Sequence, residues 1–180
     1  RVIIMQGNRD VMLGPDFAEA CGAELVADPI KIDVMGRPIL FSHGDAWCLR
    51  DEDYQAFRAM VRNPLWQAAV LQKPVAERIA MAKEARAKSE YDKGEKSLAD
   101  MDVVERAVAE AAREAGVDMV IHGHTHRPAA HVGAAIERWV LPDWELDDTD
   151  PELAVSLASA YAHTDNYTKA EYTLVNAIAA

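Results

Sequence analysis

The alternation of apolar and polar positions predicts a strand followed by a short helix at the start of the chain. Residues 1–5 form an apolar, β-branched run, which is typical of a buried strand, and turn residues follow it. Residues 15–21 predict a helix with Pro15 in its first turn and Gly22 after its end. The first strand is therefore expected to end in a polar loop, and the helix follows that loop.

Three further apolar runs predict strands. Residues 30–35 and 38–41 flank a turn at Gly36 and Arg37, and residues 117–121 form a third short run. Strands 1–5, 38–42 and 117–121 each end in a loop with polar side chains. We expect these three strands to be adjacent in one sheet, because their polar ends must then meet.

The segment 51–99 has a different pattern, with large apolar residues spaced by threes and fours. It predicts two or three helices, which Pro64 and Pro74 interrupt. Asp100 is expected to cap another helix that runs to about Ala115. Strands that alternate with helices, with polar residues at the strand ends, indicate an α/β fold.

The tail is expected to be a separate element. Residues 147–150 form an acidic linker, and 151–180 have the spacing of one tetratricopeptide-like helical pair, although two amphipathic helices of no special type account for the pattern as well or better. The expected domains are therefore 1–148, which contains the insertion 51–99, and the linker and helical tail 149–180.

Composition narrows the class of protein. The 180 residues are 50% hydrophobic, which is typical of one soluble domain and excludes a disordered or collagen-like chain. No apolar run approaches the length of a membrane span, and the two cysteines lack metal-site spacing, so we expect a cytoplasmic location. The net charge of −11 disfavours nonspecific nucleic-acid binding.

The charge is distributed unevenly. Residues 50–100 contain 10 of the 19 Lys and Arg residues but only 9 of the 30 Asp and Glu residues, a net charge of +1 against −12 elsewhere. An anionic substrate is therefore expected to meet this middle segment.

Three histidines in five positions give the sharpest chemical signal. His122, His124 and His126 follow a predicted strand and are bracketed by Gly123 and Pro128. Alternate residues of an extended segment face the same way, so two of these imidazoles can converge on one metal ion. A lone histidine would instead be a core or surface residue.

Two other strand ends carry possible ligands, Asn8 and His43. An amide oxygen and an imidazole, together with carboxylates, suit a hard or borderline ion such as Mn²⁺ better than a thiolate-type zinc site. Asn8 alone would be an ordinary turn residue, and His43 alone an ordinary hydrogen-bonded strand end.

The motifs Gly-Asn-x-Asp, Ser-His-Gly-Asp and Gly-His-Thr-His, in this order, resemble those of the calcineurin-like metallophosphoesterases. Most of that superfamily has a histidine where this sequence has Arg9. This difference narrows the resemblance to the UDP-2,3-diacylglucosamine pyrophosphatases of lipid A biosynthesis, together with the motifs Asp51-x-Asp-Tyr-Gln-Ala-Phe, Lys96-Ser-Leu-Ala-Asp-Met-Asp and Ile-His-Gly-His-Thr-His-Arg-Pro. The resemblance covers residues 1 to about 148. It implies a four-layered αββα sandwich with a helical lid at 51–99, holding two Mn²⁺ ions.

The same resemblance implies roles for individual residues. Asn8, His43 and His124 are expected to bind one metal ion and His126 the other, while His122 is expected to be structural. The groups expected to contact the substrate, UDP-2,3-diacylglucosamine, are Asn8, Arg9, Asp51, Ser89, Lys93, Lys96 and His124. Arg9 can donate two parallel hydrogen bonds to phosphate oxygens, and Lys96 can supply a positive charge. Asp51 can accept a hydrogen bond from a hydroxyl or a ring N–H. No residue is assigned as a general acid or base.

The resemblance also implies further ligands outside this sequence. The family's Asp-x-His and bridging Asp ligands would lie upstream of residue 1, so we expect an N-terminally incomplete chain whose activity is uncertain. Peripheral association with the inner membrane is expected, because the substrate carries two acyl chains. The alternatives are another calcineurin-like nucleotide phosphodiesterase, or a non-catalytic interaction module that binds a protein partner through 151–180.

Overall fold

The computed structural model describes residues 2–132 and 136–142, with helices and strands that form a mixed α/β fold. The described chain forms two compact units. The first contains residues 2–27 and 45–107, and the second contains residues 28–44 together with the described residues from 108 onward. The tail predicted for 149–180 lies outside the described residues.

The first unit begins with a strand, a helix and a second strand. β1 (Val2–Met5) and β2 (Ala23–Val26) are parallel and pair from Val2↔Ala23 to Met5↔Val26, with α1 (Pro15–Ala20) between them in the chain. Pro15 opens α1 and Gly22 follows it with a positive φ of 65°, as the sequence predicted.

Three helices make up the rest of this unit. They are α2 (Glu52–Val61), α3 (Pro64–Leu71) and α4 (Val75–Glu95), and a short 3₁₀ turn at Asp45–Trp47 precedes them. Asp51 caps α2 by accepting from the Tyr54 amide, and Asn63 caps α3 by accepting from the Leu65 amide. Pro64 and Pro74 lie at the helix starts, so the predicted interruptions are confirmed.

The second unit is built on a five-stranded sheet in the order β3-β4-β5-β7-β6. Its strands are β3 (Ile30–Val34), β4 (Arg37–Ser42), β5 (Met119–His122), β6 (Ala129–His131) and β7 (Glu137–Val140). β4 is antiparallel to β3 and parallel to β5, and β5 is parallel to β7. Parallel pairing requires a crossover, which is supplied between β4 and β5 by a long excursion that ends in α5 (Glu105–Ala115).

The core of this unit lies on the sheet. Ile39, Met119 and Trp139 come from the three central strands and pack as a buried cluster, with Phe41 and Ile121 partly buried against it. Val120 is fully buried and Met119 nearly so, because β5 is the middle strand and has neighbours on both edges. This cluster fixes the register of β4 against β5 and hence the position of the loops that follow them.

Three sequence predictions are wrong in detail. Strand 1–5 pairs with β2 and not with 38–42 or 117–121, because α1 is a short crossover that brings β2 back beside β1. The predicted adjacency of 38–42 and 117–121 is confirmed, with Ile39↔Met119 and Ser42↔His122. The turn between β3 and β4 is centred on Met35 and Gly36, both with positive φ, one residue before the predicted turn.

The third error concerns the start of α5. Asp100 does not cap this helix, because its carboxylate accepts from the Ser97 hydroxyl at 2.6 Å in a separate turn. The helix begins five residues later, at Glu105, and the Val104 amide instead donates to the Trp47 carbonyl at 2.8 Å. The end of the helix at Ala115, followed by Gly116 with a φ of 66°, is as predicted.

Candidate functional site

The ends of β4 and β5 place two candidate loops side by side. The two strands are parallel and in register up to Ser42↔His122, so their next residues emerge at the same edge of the sheet. The amide of Gly123 donates to the His43 carbonyl at 3.2 Å, which ties the two loops together. Residues from distant parts of the sequence therefore converge at this edge.

His43 and His124 face each other across these loops. Nδ1 of His124 lies 3.2 Å from Nε2 of His43, and the rings meet edge to face with centroids 5.0 Å apart. Two nitrogens that each lie about 2.0–2.2 Å from a shared ion, at the angles of octahedral to tetrahedral coordination, would lie about 2.8–3.6 Å apart. The observed separation therefore fits two imidazoles that bind one divalent ion.

The backbone of the histidine loop is held in an unusual conformation. His124 and His126 have φ values of 68° and 52°, in the left-handed region that side chains other than glycine seldom adopt. Such conformations each cost on the order of 1–3 kcal/mol and persist where the surrounding structure imposes them, often at functional sites. His126 is exposed and His124 half-buried, so both imidazoles remain within reach of solvent.

Gly44 allows the two loops to approach so closely. Its φ is 101°, and a Cβ at this position would lie 2.9 Å from Nδ1 of His122 and 3.1 Å from the Gly123 carbonyl oxygen. Any side chain here would both strain the backbone and push the loops apart.

His122 has a different environment from the other two histidines. It is fully buried, with Nδ1 3.0 Å from the Gly123 carbonyl and Nε2 3.2 Å from the Arg138 guanidinium. Because arginine can only donate, Nε2 accepts and Nδ1 carries the proton that it donates to the carbonyl. Both ring nitrogens are thus engaged within the protein, which supports the expected structural role.

Asp28 is a residue of this site that the sequence did not reveal. Its Oδ1 accepts from the Ser42 hydroxyl at 2.6 Å and from the His43 amide at 3.2 Å, and the Ser42 hydroxyl oxygen accepts from the Gly44 amide at 3.0 Å. These bonds fix the backbone that presents His43. An aspartate before a proline gives no pattern that distinguishes this role from that of a turn residue.

The remaining predicted site residues belong to the first unit. Asn8 and Arg9 lie in the loop after β1, where Asn8 is half-buried and Arg9 exposed. Lys96 ends α4, and its ammonium lies 2.6 Å from Oδ1 of Asp51 at the start of α2. Ser89 is exposed on α4. Lys93 also lies in α4, and its side chain is outside the described part of the structure.

A buried charge cluster was also missed. Asp45 is fully buried, and its Oδ2 accepts from the Tyr54 hydroxyl at 2.8 Å and lies 3.1 Å from Nε of Arg58 and 3.5 Å from Arg62. Burial, and then the charge of Asp45, raise the pKa of Tyr54 far above its ordinary value of 10.0, so the phenol stays a donor. The four-residue spacing of Tyr54, Arg58 and Arg62 is the sequence pattern that could have revealed this cluster, because it places the three side chains on one helix face.

The metal-binding prediction can be compared with the donors that are present. Within residues 2–132 and 136–142, no group of three or more His, Cys, Asp or Glu side chains is arranged to hold an ion. The pair formed by His43 and His124 supplies two suitable nitrogens. Two imidazoles are ordinary ligands of divalent transition-metal ions, so the pair can accommodate such an ion without selecting Mn²⁺ over zinc.

Comparison with known proteins gives strong similarities over most of the chain. The sequence is 50% identical to the UDP-2,3-diacylglucosamine hydrolase of Bordetella pertussis (strain Tohama I) over 154 residues, which are 83% of this chain and 60% of that protein. It is 53% identical to the protein of the same name from Chromobacterium violaceum over 142 residues, 78% of this chain and 60% of the relative. The corresponding protein of Cellvibrio japonicus is 48% identical over 147 residues, 79% of this chain and 61% of the relative.

The chain spans about three fifths of the length of these curated relatives. No protein-family model matches it. Identity near one half over 142 or more residues is nevertheless far above what unrelated sequences share, and the matched region is long enough to contain most of the described structure. Over this region, the chain is closely similar in sequence to the UDP-2,3-diacylglucosamine hydrolases of these bacteria.

Proposed function

We propose that this chain is part of an enzyme that hydrolyses the pyrophosphate bond of UDP-2,3-diacylglucosamine, giving UMP and 2,3-diacylglucosamine 1-phosphate for lipid A biosynthesis. The 50% identity to a relative of that name carries the proposal. The close pair of His43 and His124 at the ends of two parallel strands supports it. The fold proposed for the complete enzyme is the calcineurin-like αββα sandwich, with the helices of 51–99 as its lid.

The proposed cofactor is Mn²⁺, with two ions in the complete site. His43 and His124 would bind one ion together with Asn8, and His126 would bind the other. Divalent ions at such a site act as Lewis acids toward phosphate oxygens and lower the pKa of bound water. The 3.2 Å separation of the two ring nitrogens supports the assignment of His43 and His124 to one ion.

The predicted site residues that are not metal ligands are proposed to bind and orient the substrate. Arg9 is exposed and can give a two-pronged donor to phosphate oxygens. Lys96 supplies a positive charge, which Asp51 neutralises at 2.6 Å. An incoming phosphate would compete for Lys96 and release Asp51 to accept from a hydroxyl or ring N–H. Ser89 and Lys93 are proposed as further contacts from α4.

A product assay tests the reaction. UMP release from UDP-2,3-diacylglucosamine is measured with added Mn²⁺, for this chain and for a form extended upstream along its natural reading frame. UDP-N-acetylglucosamine is the matched control, because it has the same pyrophosphate without the acyl chains. We expect the extended form to release UMP from the acylated substrate only. Equal hydrolysis of both compounds would instead favour a general nucleotide phosphodiesterase.

The proposed location is the cytoplasmic side of the inner membrane, with peripheral contact to lipid. None of the helices in the described part of the chain combines the length and apolar character needed to cross a bilayer. Large apolar side chains of the insertion are exposed, including Leu65 at 82% and Leu71 at 55%, and they support a contact with acyl chains. Val70 is buried and Trp66 half-buried, so these two pack within the protein instead.

Vesicle co-sedimentation tests this contact. The variant Leu65→Ser with Leu71→Ser should bind vesicles of bacterial lipids more weakly than the wild type. The matched control is Met35→Ser with Val132→Ser, which removes exposed apolar side chains from the second unit. Equal binding of all three folded proteins would contradict the proposed membrane contact.

A further inference from the structure

The loop that carries Asn8 and Arg9 is fastened at both of its sides by the helical insertion. Arg62, at the end of α2, donates from its guanidinium to the carbonyl of Gln6 at 3.3 Å. Gln67, in α3, donates from its amide to the carbonyl of Val11 at 3.2 Å. These two carbonyls flank Asn8 and Arg9 in the chain, so the helices hold the loop before and after the two candidate site residues.

The loop is also closed upon itself. The amide of the Gln6 side chain donates to the carbonyls of Val11, at 3.2 Å, and of Leu13. Within the loop, the Gly7 amide donates to the Asp10 carboxylate. The loop is therefore a compact turn whose outer carbonyls are the points of attachment to α2 and α3.

Both fastening side chains are themselves held. The guanidinium of Arg62 lies 3.5 Å from the carboxylate of Asp45, which is fully buried. The amide of Gln67 donates a second bond to the Val61 carbonyl, at 2.9 Å. A side chain that donates to two fixed acceptors loses its rotational freedom. Arg62 and Gln67 can therefore hold the loop in one position.

We propose that Arg62 and Gln67 are positioning residues that set the orientation of Asn8 and Arg9, with Asp45 as the buried anchor of Arg62. This inference rests on the proposed function. It gives the insertion a second role, in addition to covering the substrate. Its helices hold the loop that presents a metal ligand and a phosphate-binding guanidinium. Neither Arg62 nor Gln67 needs to touch the substrate for this effect.

Amide hydrogen exchange of this chain tests the positioning without any assay of activity. The variants are Arg62→Gln, whose shorter side chain withdraws the guanidinium donor from the loop, and Gln67→Leu, which removes the amide donor. Arg50→Gln is the matched control, because Arg50 donates to the Ala99 carbonyl at 2.9 Å elsewhere in the same unit. We expect exchange at residues 7–10 to become about ten-fold faster in both variants and to be unchanged in the control.

Unchanged exchange at residues 7–10 in folded Arg62→Gln and Gln67→Leu would overturn the proposal. Should Arg62→Gln fail to fold, Gln67→Leu still decides, because it leaves the buried charges intact. The exchange result stands even if the protein hydrolyses nothing, in which case the proposed function fails alone.

A double-mutant cycle on kcat/KM gives a second readout that a merely structural role would not produce. In the extended form, Arg62→Gln should lower kcat/KM about ten-fold on its own, and should lower it little further when Arg9 is already alanine. Fully additive losses would show that Arg62 does not act through the Arg9 loop, and would overturn the proposal.

Discussion

The ammonium of Lys96 lies 2.6 Å from the carboxylate of Asp51, so the end of α4 is tied to the start of α2 across 45 positions of sequence. Both side chains are largely buried, with 24% and 11% exposed. Asp51 also accepts from the Tyr54 amide as the cap of α2. The Asp51 carboxylate thus joins the two ends of the segment formed by α2, α3 and α4, and it caps the first of these helices.

This pair should couple more strongly than an exposed one. We expect a double-mutant cycle of Lys96→Met and Asp51→Asn, read by urea unfolding, to give a coupling of about 1 kcal/mol or more, because water screens the charges less. The control cycle is Lys73→Met and Glu77→Gln, an exposed pair 3.3 Å apart, in which Lys73 lies just before α4 and Glu77 in its first turn. Its coupling should be well below about 1 kcal/mol, and equal couplings in the two cycles would contradict the expectation.

Two histidines of one loop should respond differently to substitution. In the extended form, His124→Ala should abolish turnover and reduce Mn²⁺ content while the protein stays folded, because His124 faces His43 at 3.2 Å. His122→Ala should instead lower stability by about 2–4 kcal/mol, because it leaves a cavity and removes the hydrogen-bond partner of the Gly123 carbonyl and of the Arg138 guanidinium. Thermal unfolding and metal analysis distinguish the two, and equal losses in both would refute the division of roles.

Arg9 should behave as a phosphate clamp and not as a metal ligand. Arg9→Ala in the extended form is expected to raise KM and lower kcat, because a guanidinium that pairs with developing charge acts on both binding and the transition state. Mn²⁺ content should be unchanged. The control, Arg113→Ala, changes an exposed arginine of α5 and should leave both constants alone. Loss of metal from the Arg9 variant would contradict the clamp.

The pH dependence of stability should reveal the buried thiol of Cys48. Burial, and then the charge of Asp45, raise the pKa of Cys48 from 9.0 to about 12. Below pH 9 both states keep the proton, so stability is unaffected. Between pH 9 and 12 the unfolded chain loses a proton that the folded chain retains, so the free energy of unfolding falls, by at most about 1.4 kcal/mol per pH unit.

Urea unfolding at pH 8, 9 and 10 measures this slope. Cys48→Ala should flatten it, whatever the absolute stability of the variant. Cys21→Ala, which changes an exposed cysteine, should keep the wild-type slope. A slope that survives the loss of Cys48 would assign the effect to another group.

Local patterns in the sequence predicted most of the helices correctly, because proline, glycine and capping residues act over a few positions. Pro64 and Pro74 separate the three helices of the insertion, and Gly116 ends α5. The start of α5 was misjudged, since the Val104 amide finds a partner at Trp47, far away in sequence. Contacts of this kind leave no local pattern.

The strands show the same limit. β2, β6 and β7 were not predicted, because each is short, lacks the continuous apolar run of β1 and β5, and owes its pairing to a neighbouring strand. The histidine loop could be recognised from its composition, and the structure brings His43 and His124 together. Asp28 and Asp45 could not be recognised, because their importance lies in burial and in donors that come from elsewhere in the chain.

The left-handed backbone at His124 and His126 places stability and chemistry in opposition. Glycine would adopt these φ values without strain, so His126→Gly should leave the loop easier to form while it removes an imidazole. A selection for thermal resistance alone would therefore tend to erase this part of the candidate site. A mutant library screened for a higher melting temperature should therefore keep His124 and His126 unchanged. Otherwise the screen would select glycine at these positions although the imidazole is lost.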